Sequence, residues 1–356
     1  MSRETRFCCR FLHILRAWPT SAPQATILLM PHTVTLARHA MATRFEMVLH
    51  GQDPVALRAA GEEALQEIEN LEAQLSLFRP ASEIAQVNAQ ASRSPVCVSP
   101  AVFALLCQAK NLWEESGGTF DPTIAPLLNC WGFLGGKGSW PREEAIAEAR
   151  VLTGMHLVEL EAGSRTVRFA RPGVMLDLGA IGKGYAIQVA ADLLRDLGVN
   201  SALLHGGTST VYALGQPPDS RHWSIAIDAP PSETESRSAD EPSGTAILAT
   251  VPLQDQALSI SAVWGKCFRR DGRVYGHVID PRSGRPVENA LMAAVVTGSA
   301  TETDALSTAM LVGGPGRYEV ASRLRTGMRS ILLTRGEQGI ELRASGIEIR
   351  SQGTPV

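Results

Sequence analysis

The chain has 356 residues, 44% of them hydrophobic and 19% charged. That is a globular composition, which excludes wholesale disorder and supplies ample apolar material for a core. Its 33 Lys and Arg against 36 Asp and Glu give a formal charge of -3, so no global basic field draws it to nucleic acid or an anionic membrane. No apolar run approaches the roughly 18 residues needed to span a bilayer, so function is read from a site.

Arg3, Arg6 and Arg10 open the chain, but the stretch 11–18 is interrupted by His13 and Arg16 and lacks the clean apolar segment of a signal peptide. Residues 1–29 are therefore set aside as an N-terminal extension, either disordered or preceding a true start at Met30. Residues 30–356 are read as one domain. Alternating runs at 33–36 and 45–49 predict paired strands. Leu57, Ala60, Ala64, Ile68, Leu71 and Leu75 recur at three- and four-residue steps and predict a helix over 54–75. A second helix is expected over 100–115, with Ser99 as N-cap, Pro100 in the first turn and Gly117-Gly118 behind it.

Residues 119–140, rich in Gly, Pro and Trp, read as an ordered loop. A short helix (141–152) and strands at 156–161, 166–170 and 174–178 follow, then an amphipathic helix over 185–197 ended by Gly198. Residues 229–245 hold almost no aliphatic side chain and read as a mobile surface insertion. Strands near 246–252 and 257–261, a hairpin-like region at 267–280, helices at 302–312 and 315–325, and strands at 330–334 and 339–349 complete the chain. Without a βαβ rhythm the fold class is α+β: a mixed, largely antiparallel sheet with packed helices. Cys8, Cys9, Cys97, Cys107, Cys130 and Cys267 form no CxxC pair and read as scattered buried thiols rather than a zinc site.

Three places carry chemistry-bearing residues. Asp304 and Thr308 lie four apart on one helix face and can offer two hard oxygens to Mg²⁺, yet Thr301 and Asp304 also have capping-box spacing. Asp177 to Gly184, with Gly179, Gly182 and Lys183, joins a strand to a helix. It suits phosphate binding or a simple tight turn, and fits neither GxxxxGK[ST] nor GxGxxG. His277 precedes the turn Asp280-Pro281 and reads as a general base or a partly buried polar residue.

Taken in order, the segments resemble the ApbE family of FAD:protein FMN transferases. The resemblance is carried by Met41-Ala42-Thr43, by Leu77-Phe78-Arg79-Pro80 with Ser82-Glu83-Ile84 and Asn88, and by Gly118 to Thr123 running on to Trp131-Gly132-Phe133. It continues through Asp177 to Gly184, His277 to Pro281 with Ser283-Gly284, and Thr303 to Thr308. Together these span about residues 35 to 345. Departures are Ala42 for the usual Gly, Phe78 for the usual Tyr, His205-Gly206-Gly207-Thr208 for a GGD pattern, and Ser261-Ala262 for Ser-Gly.

The resemblance implies an ApbE-like fold with FAD contacts at Met41, Phe78, Thr119, Phe120, Asp121, Asp177, Lys183, His277 and Ile279. It implies Mg²⁺ held by the Ala180 carbonyl with Asp304 and Thr308, and His277 is the candidate base. The expected activity is Mg²⁺-dependent transfer of FMN from FAD to a Ser or Thr of an acceptor protein, a redox subunit, with release of AMP. A Mg²⁺-dependent FAD pyrophosphatase and a non-catalytic FAD-binding protein are the alternatives. Many relatives act outside the cytoplasm on membrane-bound subunits, which gives a periplasmic or membrane-associated expectation that the N-terminus does not reinforce.

Overall fold

The computed structural model describes residues 12–14, 31–230, 246–271, 273–337 and 339–349. The readings for 1–11, 15–29 and 231–245 lie outside the described residues; Leu12–Ile14 pairs as a short strand with Trp223–Asp228. His32–Ala40 and Thr43–Gly51 form a hairpin whose two-residue turn, Met41-Ala42, has φ of 49° and 58°. It begins one edge of an eight-stranded sheet. From that edge the strands run His32–Ala40, Thr43–Gly51, Ser201–Gly206, Thr210–Gly215, Gln256–Ala262, Ala290–Thr297, Arg329–Gly336, Gly339–Ser345. Every neighbouring pair is antiparallel, as the α+β reading expects.

Alternation along the strands divides the core in two. Phe45, Met47, Leu49, Ala202, Leu204, Tyr212 and Leu332 face the helices Pro54–Leu75, Gly182–Asp196 and Ala300–Ala321. Leu203, Val211, Leu258, Ile260, Ile331 and Leu333 face the opposite way, with Trp223, Ile225 and Ile227 of Trp223–Asp228 and Val251 and Leu253 of Ile247–Leu253. Ala290–Thr297 sits between both layers and is buried at every position. A third, smaller cluster of Leu127, Trp131, Phe133, Ile146 and Ile279 holds the Trp-rich loop together. Among the described residues no helix is long and apolar enough to cross a membrane.

Several local expectations are corrected. Residues 174–178 form no strand. The Asn88 side chain takes the place of a neighbouring strand: Leu176 N–H donates to Asn88 Oδ1 at 2.7 Å and Asn88 Nδ2 donates to the Leu176 carbonyl at 2.9 Å. Those two bonds satisfy an extended backbone without a ladder. The 119–140 loop contains a short helix, Ala125–Cys130. The capping box at Thr301 and Asp304 does not form. Ala300–Ala321 starts earlier, capped by Ser299, whose hydroxyl accepts from Glu302 N–H. That frees the Asp304 side chain from capping its own helix. The thiols are not all buried: Cys97 and Cys267 are exposed.

Candidate functional site

The segment after Leu176 turns tightly because the Leu178 carbonyl accepts from both Ile181 and Gly182 N–H, at 3.1 and 2.7 Å. Helix Gly182–Asp196 begins there without a side-chain cap of its own. Gly184 is the third residue of that helix, so its N–H is one of the first-turn amides that no carbonyl of the same helix satisfies. It donates to Asp304 Oδ2, at 2.9 Å, on the neighbouring helix. The Asp304 carboxylate thus caps a helix N-terminus in trans, where a negative charge is favoured. It is only 4% exposed. The approach needs glycine, since a Cβ at Gly184 would run into the Ala300 carbonyl oxygen and stand 2.7 Å from Asp304 Cβ.

Lys183 is the centre of the group. Its Nζ donates to the Gly179 carbonyl at 2.9 Å and lies 3.9 Å from Asp304 Oδ2. Its charge also acts on Asp177 and His277. Asp177 accepts from Gly179 N–H at 2.7 Å, and its own N–H donates to the Pro122 carbonyl at 2.7 Å, joining the glycine turn to the Asp121-Pro122 loop. Burial raises the Asp177 carboxyl, opposed by the Gly179 bond and by Lys183 and Lys266. Asp121 is pushed up to about 6 by burial, against hydrogen bonds from Thr123 and Trp113.

His277 closes the group from the other side. Lys266 C=O accepts from His277 N–H at 2.9 Å and lies 3.1 Å from Nδ1. A carbonyl can only accept, so Nδ1 carries the proton and Nε2 holds the free lone pair. Burial lowers the imidazole below its ordinary range, and the Lys266 and Lys183 charges push the same way against the Lys266 carbonyl bond.

The implied metal can be tested against these donors. Asp304 and Thr308 share a helix face, and among the described residues the Ala180 carbonyl, just outside the helix, accepts no hydrogen bond. A carboxylate, a hydroxyl and a free carbonyl are a hard-oxygen set suited to Mg²⁺. Ser261 Oγ stands 3.0 Å from Thr308 Oγ1 and 2.9 Å from Ser307 Oγ. Ser259 Oγ stands 2.9 Å from Thr303 Oγ1, so hydroxyls line the contact of this helix with strand Gln256–Ala262.

The other expected contacts are placed differently. Thr119, Phe120 and Ile279 are buried, at 2%, 2% and 4% exposure, Phe120 and Ile279 within hydrophobic clusters. Thr119 donates to the Ser116 carbonyl. Met41 is half-buried in the hairpin turn, and Phe78 is 67% exposed. Among the described residues no hydrogen bond or ion pair joins either to the Lys183 group. A cleft of about 490 Å³ borders the group, lined by Trp113, Gly117, Gly118, Asp121, His156, Pro281 and Arg282 among others. Lys266 was not legible as a site residue: it faces His277 across a hairpin and carries no local motif.

A sequence model of the ApbE family matches residues 41–332. The FAD:protein FMN transferase of Treponema pallidum is 31% identical over 281 residues, 75% of this chain and 75% of the relative. That of Vibrio cholerae is 30% identical over 254 residues, 70% and 72% respectively. The crystal structure of Pseudomonas stutzeri flavinyl transferase ApbE, apo form, superimposes with a TM-score of 0.76 at 30% identity, covering 90% of this chain and 97% of that one.

Proposed function

The chain belongs to the ApbE family, and from that membership we propose that it transfers the FMN half of FAD to a Ser or Thr hydroxyl of an acceptor protein, releasing AMP. The observation that carries the reading is the Lys183 ammonium, 3.9 Å from Asp304 Oδ2 and close enough for its charge to act on both Asp177 and His277. The acceptor oxygen attacks the FMN-side phosphorus of FAD. The bond from that phosphorus to the bridging oxygen breaks, and AMP departs with that oxygen. FMN stays joined to the protein as a phosphate ester.

His277 Nε2 takes the hydroxyl proton. A tautomer held by the Lys266 carbonyl and an imidazole kept neutral both suit a base. Lys183 supplies a positive charge for the pyrophosphate, and the glycine turn lets backbone approach it. Asp304, Thr308 and the Ala180 carbonyl are the groups that would hold Mg²⁺, which supplies charge neutralisation and alignment in phosphoryl transfer. The acceptor is, on the family resemblance, a redox subunit.

The experiment is incubation with FAD and Mg²⁺, with and without an acceptor protein carrying a Ser or Thr flavinylation site. AMP release and covalent flavin fluorescence on a denaturing gel are followed. AMP with a fluorescent acceptor band is expected, and Asp304→Ala should abolish it. AMP with free FMN alone would replace transfer by FAD hydrolysis, and no AMP at all would leave a flavin-binding protein.

A further inference from the structure

The hairpin Cys267–Arg270 and Arg273–Gly276 stands apart as its own two-stranded sheet. Lys266 and His277, the residues bonded to each other through the Lys266 carbonyl, flank it on either side. Its core side is anchored by rings. Phe268 stacks on Tyr275 at 5.5 Å, Tyr275 meets Trp140 edge-on at 5.0 Å, and Phe133 reaches both Phe268 and His277. Gly276 presses on the Val263 carbonyl so closely that a Cβ there would collide. The hairpin is therefore a fixed projection.

What it projects is positive charge. Lys266, Arg269, Arg270 and Arg273 lie on or beside it, and Lys137 sits in the loop whose Gly138 packs on Phe268. Asp271 is the one carboxylate in the strands and tip, in a chain whose overall charge is -3. Arg270 and Arg273 are directly opposite each other across the strands, a like-charge pairing that costs stability. Arg270 is partly relieved by Asp271 and by the Trp140 ring, 4.6 Å from its guanidinium carbon. Among the described residues Arg269, Arg273 and Lys137 form no ion pair or side-chain hydrogen bond. Arg269 shares the outward face with Val274, which is 47% exposed, while Arg270 and Arg273 stand beyond the rings on the other face, at the tip, so the cations surround the hairpin end. Folding gains nothing from concentrating repelling cations here, whereas a partner with opposite charge would.

We propose that this hairpin is the docking surface for the acceptor protein, holding acidic side chains that flank its Ser or Thr. The reading rests on the transferase activity proposed above. Four residues of strand extend about 13 Å, so an extended acceptor lying along the hairpin keeps its acidic flank within three or four residues of the hydroxyl delivered to His277. A bilayer is the poorer occupant, because a membrane seated on the hairpin would cover the His277 side against any acceptor.

The test uses the full chain and two fluorescein-labelled peptides of equal length. One has a central Thr flanked by Asp and Glu, and the other by Asn and Gln. At about 50 mM salt the acidic peptide should bind about tenfold tighter by fluorescence anisotropy, and the advantage should shrink at about 300 mM. In Arg269→Glu/Arg273→Glu the preference should vanish while FAD binding, read by flavin fluorescence, stays unchanged. Should that variant misfold, Arg269→Gln/Arg273→Gln and the salt series on the native chain decide the matter. Equal binding of the two peptides overturns the proposal, as does a preference that survives charge reversal. A parallel loss of FAD affinity would assign the cations to the nucleotide, and binding to phosphatidylglycerol vesicles without peptide preference would assign them to a membrane; either overturns it. Peptide preference without AMP release would sink the transferase reading and spare the surface. Transfer without preference would do the reverse.

Discussion

Two residues carry local costs that can be measured. Ala42 occupies the second place of a two-residue hairpin turn at φ 58°, a conformation disfavoured for a side chain with Cβ by roughly 1 to 2 kcal/mol. Glycine there adds freedom to the unfolded chain, which offsets part of the gain. Ala42→Gly should still raise the unfolding free energy by about 0.5 to 1 kcal/mol in urea. Asp121 is the second case. Its carboxyl titrates at about 6 in the folded protein, against 3.8 ordinarily. Between those values the folded state holds the proton and the unfolded state does not, so stability falls as pH rises from about 4 to 6. The span corresponds to a loss on the order of 3 kcal/mol. Asp121→Asn should flatten that slope in Tm measured across the same range, since its amide oxygen can still accept from Thr123.

At the level of elements, the contact between Gly182–Asp196 and Ala300–Ala321 sets two effects against each other. Alanine is a better helix former than glycine by about 1 kcal/mol. Yet a methyl at Gly184 meets the Ala300 carbonyl and Asp304 Cβ, and forcing such a contact costs about 1 to 3 kcal/mol. Backbone on a packed helix cannot rotate away, so the clash wins. Gly184→Ala should destabilise the protein by about 1 kcal/mol or more in urea titration.

Element boundaries were legible where the physics is local. Helix Pro54–Leu75 follows its apolar spacing, and Pro100–Ser116 follows the Ser99 cap. Ala290–Thr297 left no alternating signal, because a strand buried on both faces reads as continuous apolar sequence. The 174–178 segment misled for the opposite reason: its backbone partners come from the side chain of Asn88, far away in the chain.

Across the whole molecule, loops from two distant regions are tied by one indole. Trp131 Nε1 donates to the Gly284 carbonyl at 2.8 Å, joining the Trp-rich loop to the turn after Asp280-Pro281. Trp131→Phe keeps a ring but leaves that carbonyl without its donor, at a cost of about 1 to 3 kcal/mol. Faster limited proteolysis around residues 131–139 is the expected sign. The site itself was partly legible. Of the residues the resemblance points to, Asp304 stands 3.9 Å from the Lys183 ammonium, whose charge also acts on Asp177 and His277. The burial of Thr119, Phe120 and Ile279 is something no linear motif reveals, and Lys266 became visible only when the hairpin folded it onto His277.

The bond from Gly184 N–H to Asp304 has a consequence for how the protein opens. One helix hands its first-turn amide to a carboxylate on another, so neither can fray at that end while the other stays seated. The two helices should then behave as one cooperative unit in hydrogen exchange. The Gly184 amide, close to a helix start where exchange is ordinarily fast, should exchange as slowly as the middle of Ala300–Ala321.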